Sequence, residues 1–175
     1  SNNEQKATYF NLSSFGQTYP MMLNKIRHIF YDPNGDLWEG DNVYTYRIYN
    51  KNGVDLIWES EQLYAVNWNN EYTLPQPLEL TDDVLIAIKH LADNGKPYAT
   101  YDAVSGDAWG YMGSPDNKWY PGGGNWTTEI YLTNPGSDAI AGHWAKPGIH
   151  LGNVDQNRDA GMADSYIIPK DEIPE

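Results

Sequence analysis

The chain of 175 residues contains no cysteine, which excludes disulfide bonds, thiolate-bound metal centres and catalysis by a cysteine nucleophile. Basic residues are also few: 11 Lys and Arg stand against 24 Asp and Glu, a formal charge of −13. A negative field of this size repels phosphate backbones and anionic membrane surfaces, so we expect no nucleic-acid partner. No apolar run approaches the ~20 residues that span a bilayer, so we also expect no membrane insertion.

Aromatic residues, in contrast, are abundant, and most of them carry a polar group. The chain has 14 Tyr and 7 Trp but only 3 Phe. This bias is typical of strand-rich folds and of surfaces that bind glycans or proteins. The length suits one domain, with or without a tail.

Alternation of polar and apolar residues with a period of two predicts an antiparallel β protein. It is clear in Val43–Asn50, where the turn Lys51–Gly53 then leads into a second strand-like run, Val54–Ser60. An Asn-Gly pair between two such runs indicates a hairpin. The run Asp83–Leu91 is apolar on both faces, which is typical of a central strand.

About eight or nine such segments follow one another, at the spacing expected of a jelly-roll-like β-sandwich. The segment rich in Pro, "EYTLPQPLELT", predicts two short strands kept apart by "PQP". Beyond residue 134 the strand signal thins, and Gly, Asp, Asn and Pro dominate. We therefore predict an all-β sandwich over residues 1–134, and an irregular C-terminal tail over 135–175 that wraps the sandwich or acts as a linker.

Three stretches of the chain also carry a resemblance to a known group of domains. They read "KIRHIFYDPNGDLWEGDNVYTYRIYNKNGVDLIWES", "NWNNEYTLPQPLELTDDVLIAIKH" and "AWGYMGSPDNKWYPGGGNWTTEIYLT". Over about residues 20–134 the chain resembles accessory jelly-roll β-sandwich domains of secreted bacterial proteases and adhesins, the group that includes cleaved-adhesin and MAM-like domains. The resemblance implies a non-catalytic module, secreted or at the bacterial cell surface, that belongs to a larger multidomain protein.

The loop "GSPDNKWYPGGGNW" holds the strongest candidates for ligand contact. Trp119 and Tyr120 are adjacent and lie between two prolines, so in an extended chain they point opposite ways and at least one meets solvent. A ring displayed beside Asp116 and Asn117 would stack on a sugar and hydrogen-bond its hydroxyls. The alternative is a loop that folds back as a lid on the sandwich.

Other tryptophans divide between the core and further candidate surfaces. Strand parity places Trp126 with Ile130 in the core. Trp109 and Tyr111 share one face of a strand and extend the candidate ligand surface. Three more lie in loop-like contexts, where they form a second patch or interfaces: Trp38, Trp68 and Trp144.

Two acidic loops have the D-x-N-x-D spacing by which alternate residues converge oxygen atoms on a calcium ion. They consist of Asp32, Asn34 and Asp36, and of Asp155, Asn157 and Asp159. Neither loop has the Gly and Glu that an EF-hand loop requires at positions 6 and 12. The alternative explanation of the first loop is a Pro-Asn-Gly-Asp turn, which uses the same residues for backbone reasons. No cofactor is required, and a structural calcium ion is the candidate that these loops provide.

Signs of catalysis are absent from the sequence. The four histidines match no zinc-binding spacing, and no G-x-S-x-G, H-E-x-x-H or P-loop pattern occurs. We therefore expect a non-catalytic module that binds carbohydrate or a protein surface through loop aromatics. Two alternatives remain: a structural appendage of a larger adhesin or protease, and a hydrolase of unknown type.

Overall fold

The computed structural model describes residues 5–10, 12, 18–92, 96–102, 108–112, 119–121, 125–138, 141–147 and 165–169. Its regular secondary structure is almost entirely β-strand, and a 3-10 turn covers Leu37–Gly40. The strands are β1 (Gln5–Phe10), β2 (Met21–Phe30), β3 (Val43–Asn50), β4 (Leu56–Glu59), β5 (Leu63–Tyr64), β6 (Trp68–Leu80), β7 (Val84–His90), β8 (Tyr101–Asp102), β9 (Ala108–Met112), β10 (Tyr120–Pro121), β11 (Asn125–Trp126), β12 (Glu129–Thr133), β13 (His143–Pro147) and β14 (Ser165–Pro169).

Two antiparallel sheets pack face to face. Sheet A has the order β10-β9-β1-β7-β3-β4, with β5 also paired to β3, and sheet B has the order β14-β13-β12-β2-β6. Strands β1, β3 and β7 lie in sheet A, whereas β2, β6 and β12 lie in sheet B, so the chain crosses repeatedly between the sheets. Such crossings are typical of jelly-roll connections. The prediction of an antiparallel all-β sandwich is confirmed.

The interior is built from alternate residues of the strands, as the period-two pattern predicts. In β7, Val84, Ile86 and Ile88 are buried between the sheets. Ile26 and Phe30 of β2 belong to the same cluster and come from sheet B. Burying each such side chain contributes about 1.5–3 kcal/mol, so this interface is the main source of stability.

The outer face of sheet A is also apolar at its centre. Leu85 and Ala87 of β7 point away from the interior and form a second cluster with Ala7 and Tyr49, against which Trp119 packs. The prediction that this strand is covered on both sides is therefore confirmed. This outer cluster positions the candidate ligand site described below.

Two features of the chain differ from the sequence-based expectation. Strand β6 runs without interruption through Pro75 and Pro77, where two strands were expected. It lies at the edge of sheet B, where residues without an N–H are tolerated because one side of the strand needs no partner. In the region predicted as a tail, β13 and β14 extend sheet B next to β12.

Within the described ranges no helix has the length and apolar character that a membrane crossing needs.

Two histidines are buried in the sandwich interior, His28 on β2 and His90 on β7. The Nδ1 atom of His28 lies 3.1 Å from the hydroxyl of Thr128. Burial, followed by the nearby His90 and Lys6, lowers the pKa of His28 to about 3. Burial and then Lys6 lower the pKa of His90 to about 3. Both imidazoles are therefore neutral in the folded protein at neutral pH.

We predict that acid destabilises the fold through these two histidines. Their folded-state pKa lies below the unfolded value of 6.5, so the unfolded chain binds more protons and stability falls as pH drops from 6.5 towards 3. Each histidine contributes up to about 1.4 kcal/mol per pH unit in that window. Urea unfolding between pH 7 and pH 4 measures the slope. His28→Gln serves as the comparison, and an unchanged slope in this variant would contradict the assignment.

Candidate functional site

Trp119 lies on the outer face of sheet A and is half-buried. Its ring packs edge-on against Tyr49, with ring centroids 5.6 Å apart and an interplanar angle of 79°. Its indole Nε1–H donates a hydrogen bond of 2.8 Å to the carbonyl oxygen of Gly53, in the turn between β3 and β4. Two contacts from distant parts of the chain therefore fix the orientation of this ring.

The Trp119 ring lines a cavity of about 310 Å³. The other lining residues are Tyr9, Lys51, Asn52 and Leu85. Lys51 and Asn52 also line a second cavity of about 400 Å³, which continues along the β6–β7 connection. The first cavity is aromatic and apolar on the sheet side and polar on the turn side, which is the usual composition of a small-molecule site.

Hydrogen bonds and an ion pair hold the charged groups of the second cavity. The Tyr19 hydroxyl donates to Asp83 Oδ1 at 2.6 Å. Burial and this hydrogen bond raise the pKa of Tyr19, which therefore remains a protonated donor. Lys51 Nζ lies 2.7 Å from Asp82 Oδ2, and this contact lowers the pKa of Asp82 and raises that of Lys51. Both aspartates are thus engaged with groups of the protein itself.

Three of the other predicted contact residues lie on strands of sheet A. Tyr120 lies in β10, and Trp109 and Tyr111 lie in β9, where the backbone alone is described. Tyr120 pairs with Gly110, and Pro121 pairs with Trp109, so the two predicted segments are neighbours in sheet A. Asp116 and Asn117 lie outside the described residues.

The remaining tryptophans differ sharply in exposure. Trp38 and Trp144 are buried, so their prediction as part of an exposed patch is wrong. Trp126 was predicted in the core but is half-buried, with Lys6 Nζ 5.4 Å from its ring centroid. Trp68 is 61% exposed and lies against Tyr31, with ring centroids 5.4 Å apart. The sequence analysis places Trp68 in a second patch or an interface, which its exposure fits, but its contact with Tyr31 was not predicted.

The first acidic loop directs its carboxylates towards its own backbone. Asp32 is buried, and its two oxygens accept N–H groups from Asn34 at 2.9 Å and Leu37 at 2.7 Å. Burial alone would raise the pKa of Asp32, but these and other backbone donors outweigh it and lower the pKa. Asp36 Oδ1 likewise accepts the N–H of Trp38. This geometry fits the interpretation as a turn.

Within the part of the chain that is described, no group of three or more metal-ligating side chains is arranged to hold an ion. The second acidic loop, with Asp155, Asn157 and Asp159, lies outside the described residues. Calcium binding by that loop stays a prediction.

We predict that Asp32→Asn lowers stability to the same extent with and without calcium. The amide keeps one acceptor oxygen but cannot accept both backbone N–H groups, and a buried donor left without a partner costs about 1–3 kcal/mol. Thermal melts in calcium and in EDTA measure the effect. A loss that appears in calcium alone would assign a metal-binding role to this loop.

Asp155→Asn in the same two buffers tests the second loop, because a ligand that binds the native state raises its stability.

Gly53 offers a separate test of the Trp119 position. Its φ is +72°, and an added Cβ would lie 2.7 Å from Trp119 Nε1, whereas Gly136 has a φ of +78° and nothing within 4 Å. Both Gly→Ala variants carry the strain of left-handed backbone, about 1–2 kcal/mol, but Gly53→Ala must also displace the Trp119 ring. We predict that Gly53→Ala is the less stable of the two by urea unfolding and that it alone alters the near-UV circular dichroism. Equal stability and identical spectra would place Trp119 elsewhere.

Comparison with known proteins assigns the chain to no family: no family model, no curated protein and no solved structure matches it. Function must therefore be inferred from the site itself, since a sandwich fold is compatible with many activities. Among the described residues, the cavity beside Trp119 combines an oriented aromatic ring with polar side chains.

Proposed function

We propose that the chain is a non-catalytic binding module that recognises a carbohydrate in the cavity beside Trp119. The observation that carries the proposal is the ring of Trp119, which lines a cavity of about 310 Å³ while its edge and its N–H are fixed by other parts of the protein. A ring held in this way does not lose freedom when a ligand stacks on it, so less of the binding energy is lost to ordering.

The chemistry of the cavity matches that of a sugar. A pyranose has an apolar face of C–H groups, for which the Trp119 ring and Leu85 provide a surface, and a rim of hydroxyls that needs polar partners. Such partners lie on the turn between β3 and β4: Asn52, and Lys51, whose ammonium has donors beyond the one that faces Asp82. The charge of −13 suits an uncharged ligand better than an anionic one.

The adjoining cavity gives the proposed site room for more than one sugar unit. It shares Lys51 and Asn52 with the first cavity and has a volume of about 400 Å³. Its lining includes hydroxyl, amide and carboxylate groups, among them Thr81 and Asn50.

A secreted or cell-surface location in a bacterium, within a larger adhesin or protease, is part of the same proposal and rests on the resemblance described above.

A second candidate function is that of a structural appendage. It is favoured by the apolar cluster of Ala7, Leu85 and Ala87, which needs cover whether or not a ligand binds. In that case Trp119 serves as a lid on the sheet. No contact of the described residues favours the hydrolase alternative, since Asp82 and Asp83 are already paired with Lys51 and Tyr19.

We predict that Trp119→Ala weakens glycan binding by about tenfold or more, as expected for an aromatic anchor residue. A glycan array with the wild type identifies the ligand, and affinity gel electrophoresis in that polysaccharide measures the change. Trp119→Phe should retain part of the affinity, because it keeps an aromatic face but loses the hydrogen bond to Gly53.

The matched control is Trp68→Asn, which removes an exposed tryptophan outside the cavity and should leave glycan binding unchanged. Circular dichroism and melts confirm that each variant is folded under the assay conditions. A wild type that binds no glycan on the array would favour the structural appendage. A folded Trp119→Ala that binds as tightly as the wild type would remove the cavity from the proposal.

A further inference from the structure

Backbone strain is concentrated at one place in the part of the chain that is described. Four residues other than glycine have a positive φ: Leu37, Trp38, Glu39 and Trp68, with values of 51°, 57°, 55° and 74°. This conformation is unfavourable for L-residues because Cβ crowds a carbonyl oxygen. Strain of this kind persists only where the surroundings impose it, and it clusters at ligand-binding sites.

The four residues belong to two segments that are bonded to each other. The loop 32–42 and the turn 65–68 together are called the strained end. Asp32 N–H donates to Asn67 Oδ1 at 2.9 Å at the start of the loop. At its end, Ala65 N–H donates to the Asn42 carbonyl at 2.7 Å, and Asn42 Nδ2 donates back to the Ala65 carbonyl at 3.1 Å.

The side chain of Asn70 holds the turn that carries Trp68. Asn70 is buried, and its Oδ1 accepts the Val66 N–H at 2.8 Å. Its Nδ2 donates to the carbonyl oxygens of Val66 and Trp68, both at 2.8 Å. Three hydrogen bonds from one buried amide thus fix the conformation of this turn, including the left-handed residue.

The consequence of this conformation is that the Trp68 ring faces solvent. Strand alternation in β6 would point Trp68 to the same side as Asn70 and Tyr72, and its partner in register on β2 is the buried Phe30. Instead Trp68 is 61% exposed and rests on Tyr31, which is 44% exposed. The protein therefore maintains a strained backbone and thereby displays two aromatic rings that it does not use in its core.

The surroundings of the two rings indicate the chemistry of the partner. Val66 and Leu37, on the same two segments, are 52% and 42% exposed and carry no group that could bind a sugar hydroxyl. The loop also exposes the carboxylates of Asp36 and Glu39 on a chain with a net charge of −13. An apolar surface with rigid aromatic anchors and an acidic border suits a protein segment with basic and apolar side chains.

We propose that the strained end, together with the adjacent Tyr31, is a docking site for a basic, partly apolar segment of a partner protein. A Lys or Arg side chain of the partner would lie over the exposed face of Trp68, where the ring quadrupole attracts a cation. The aliphatic or aromatic residues next to it would cover Val66 and Leu37. The carboxylates of Asp36 and Glu39 would increase the rate of association.

Selection from a library of random 12-residue peptides tests this proposal on the full chain. The wild type is the target, and Trp68→Asn is used for counter-selection, because Asn adopts left-handed backbone readily and leaves the rest of the turn intact. We expect enriched peptides that contain Lys or Arg beside aliphatic or aromatic residues. Their affinity should drop about tenfold or more with Trp68→Asn and should be unaffected by Trp119→Phe.

Two further measurements separate a docking role from a structural one. Trp68→Asn should melt at or above the wild-type temperature, since it relieves strain and removes an exposed ring, whereas a structural tryptophan would lower the melting temperature on removal. Glu39→Gln should weaken peptide binding about two- to fivefold, with the loss mostly in the association rate and reduced at high salt.

Three outcomes would overturn the proposal. One is a selection that yields no peptide dependent on Trp68. Another is enrichment of acidic or uncharged peptides, which would contradict the inferred charge of the partner. The third is loss of glycan binding in Trp68→Asn on the array described above, which would assign the strained end to a carbohydrate.

Discussion

Strand β7 is apolar on both faces, and much of the rest of the structure follows from how each face is covered. Its inward residues, Val84, Ile86 and Ile88, are covered by sheet B, as in any sandwich. Its outward residues, Leu85 and Ala87, are not covered by a sheet in the part of the chain that the structure describes, and Trp119 and Tyr9 pack against them. Because one ring cannot cover the face completely, a cavity remains beside it. The proposed binding site thus exists because the outward face of β7 is only partly covered by other side chains.

The sequence predicted the two faces of β7 correctly because alternation depends on local geometry alone. It also predicted the strand fold and the hairpin turn that joins β3 to β4. It could not predict where Trp119 points, since the acceptor of its hydrogen bond, Gly53, lies 66 positions away. Nothing in the pattern around a loop residue encodes a partner at that distance. The continuous β6 was missed for a similar reason, because tolerance of proline depends on the place of a strand in its sheet.

The strained end could not be predicted from the sequence, because two patterns in it are ambiguous. The sequence indicates only that Trp68 lies in a loop-like context, as part of a second patch or an interface, and no neighbouring residue indicates a left-handed backbone. The Asp32–Asn34–Asp36 pattern has the opposite problem, because residues that bind cations through side-chain oxygens also organise turns by accepting backbone N–H groups. Only the direction of the oxygens decides, and in Asp32 both point to amides of the loop. The same carboxylate that suggested a metal site thereby supports the segment that displays Leu37.

The left-handed residues of the described chain are of two kinds, glycines at turns and four other residues in the strained end. Where the chain turns between strands, glycine takes the positive φ, as at Gly53 and Gly136, and no strain arises. Position 68 also has a positive φ, but its residue is a tryptophan whose ring is exposed to solvent. A glycine or asparagine would make the turn at lower energy and expose less apolar surface. In the folded state the Trp68 ring contacts Tyr31 but takes no part in the interior, and this exposure is what motivates the proposed docking role.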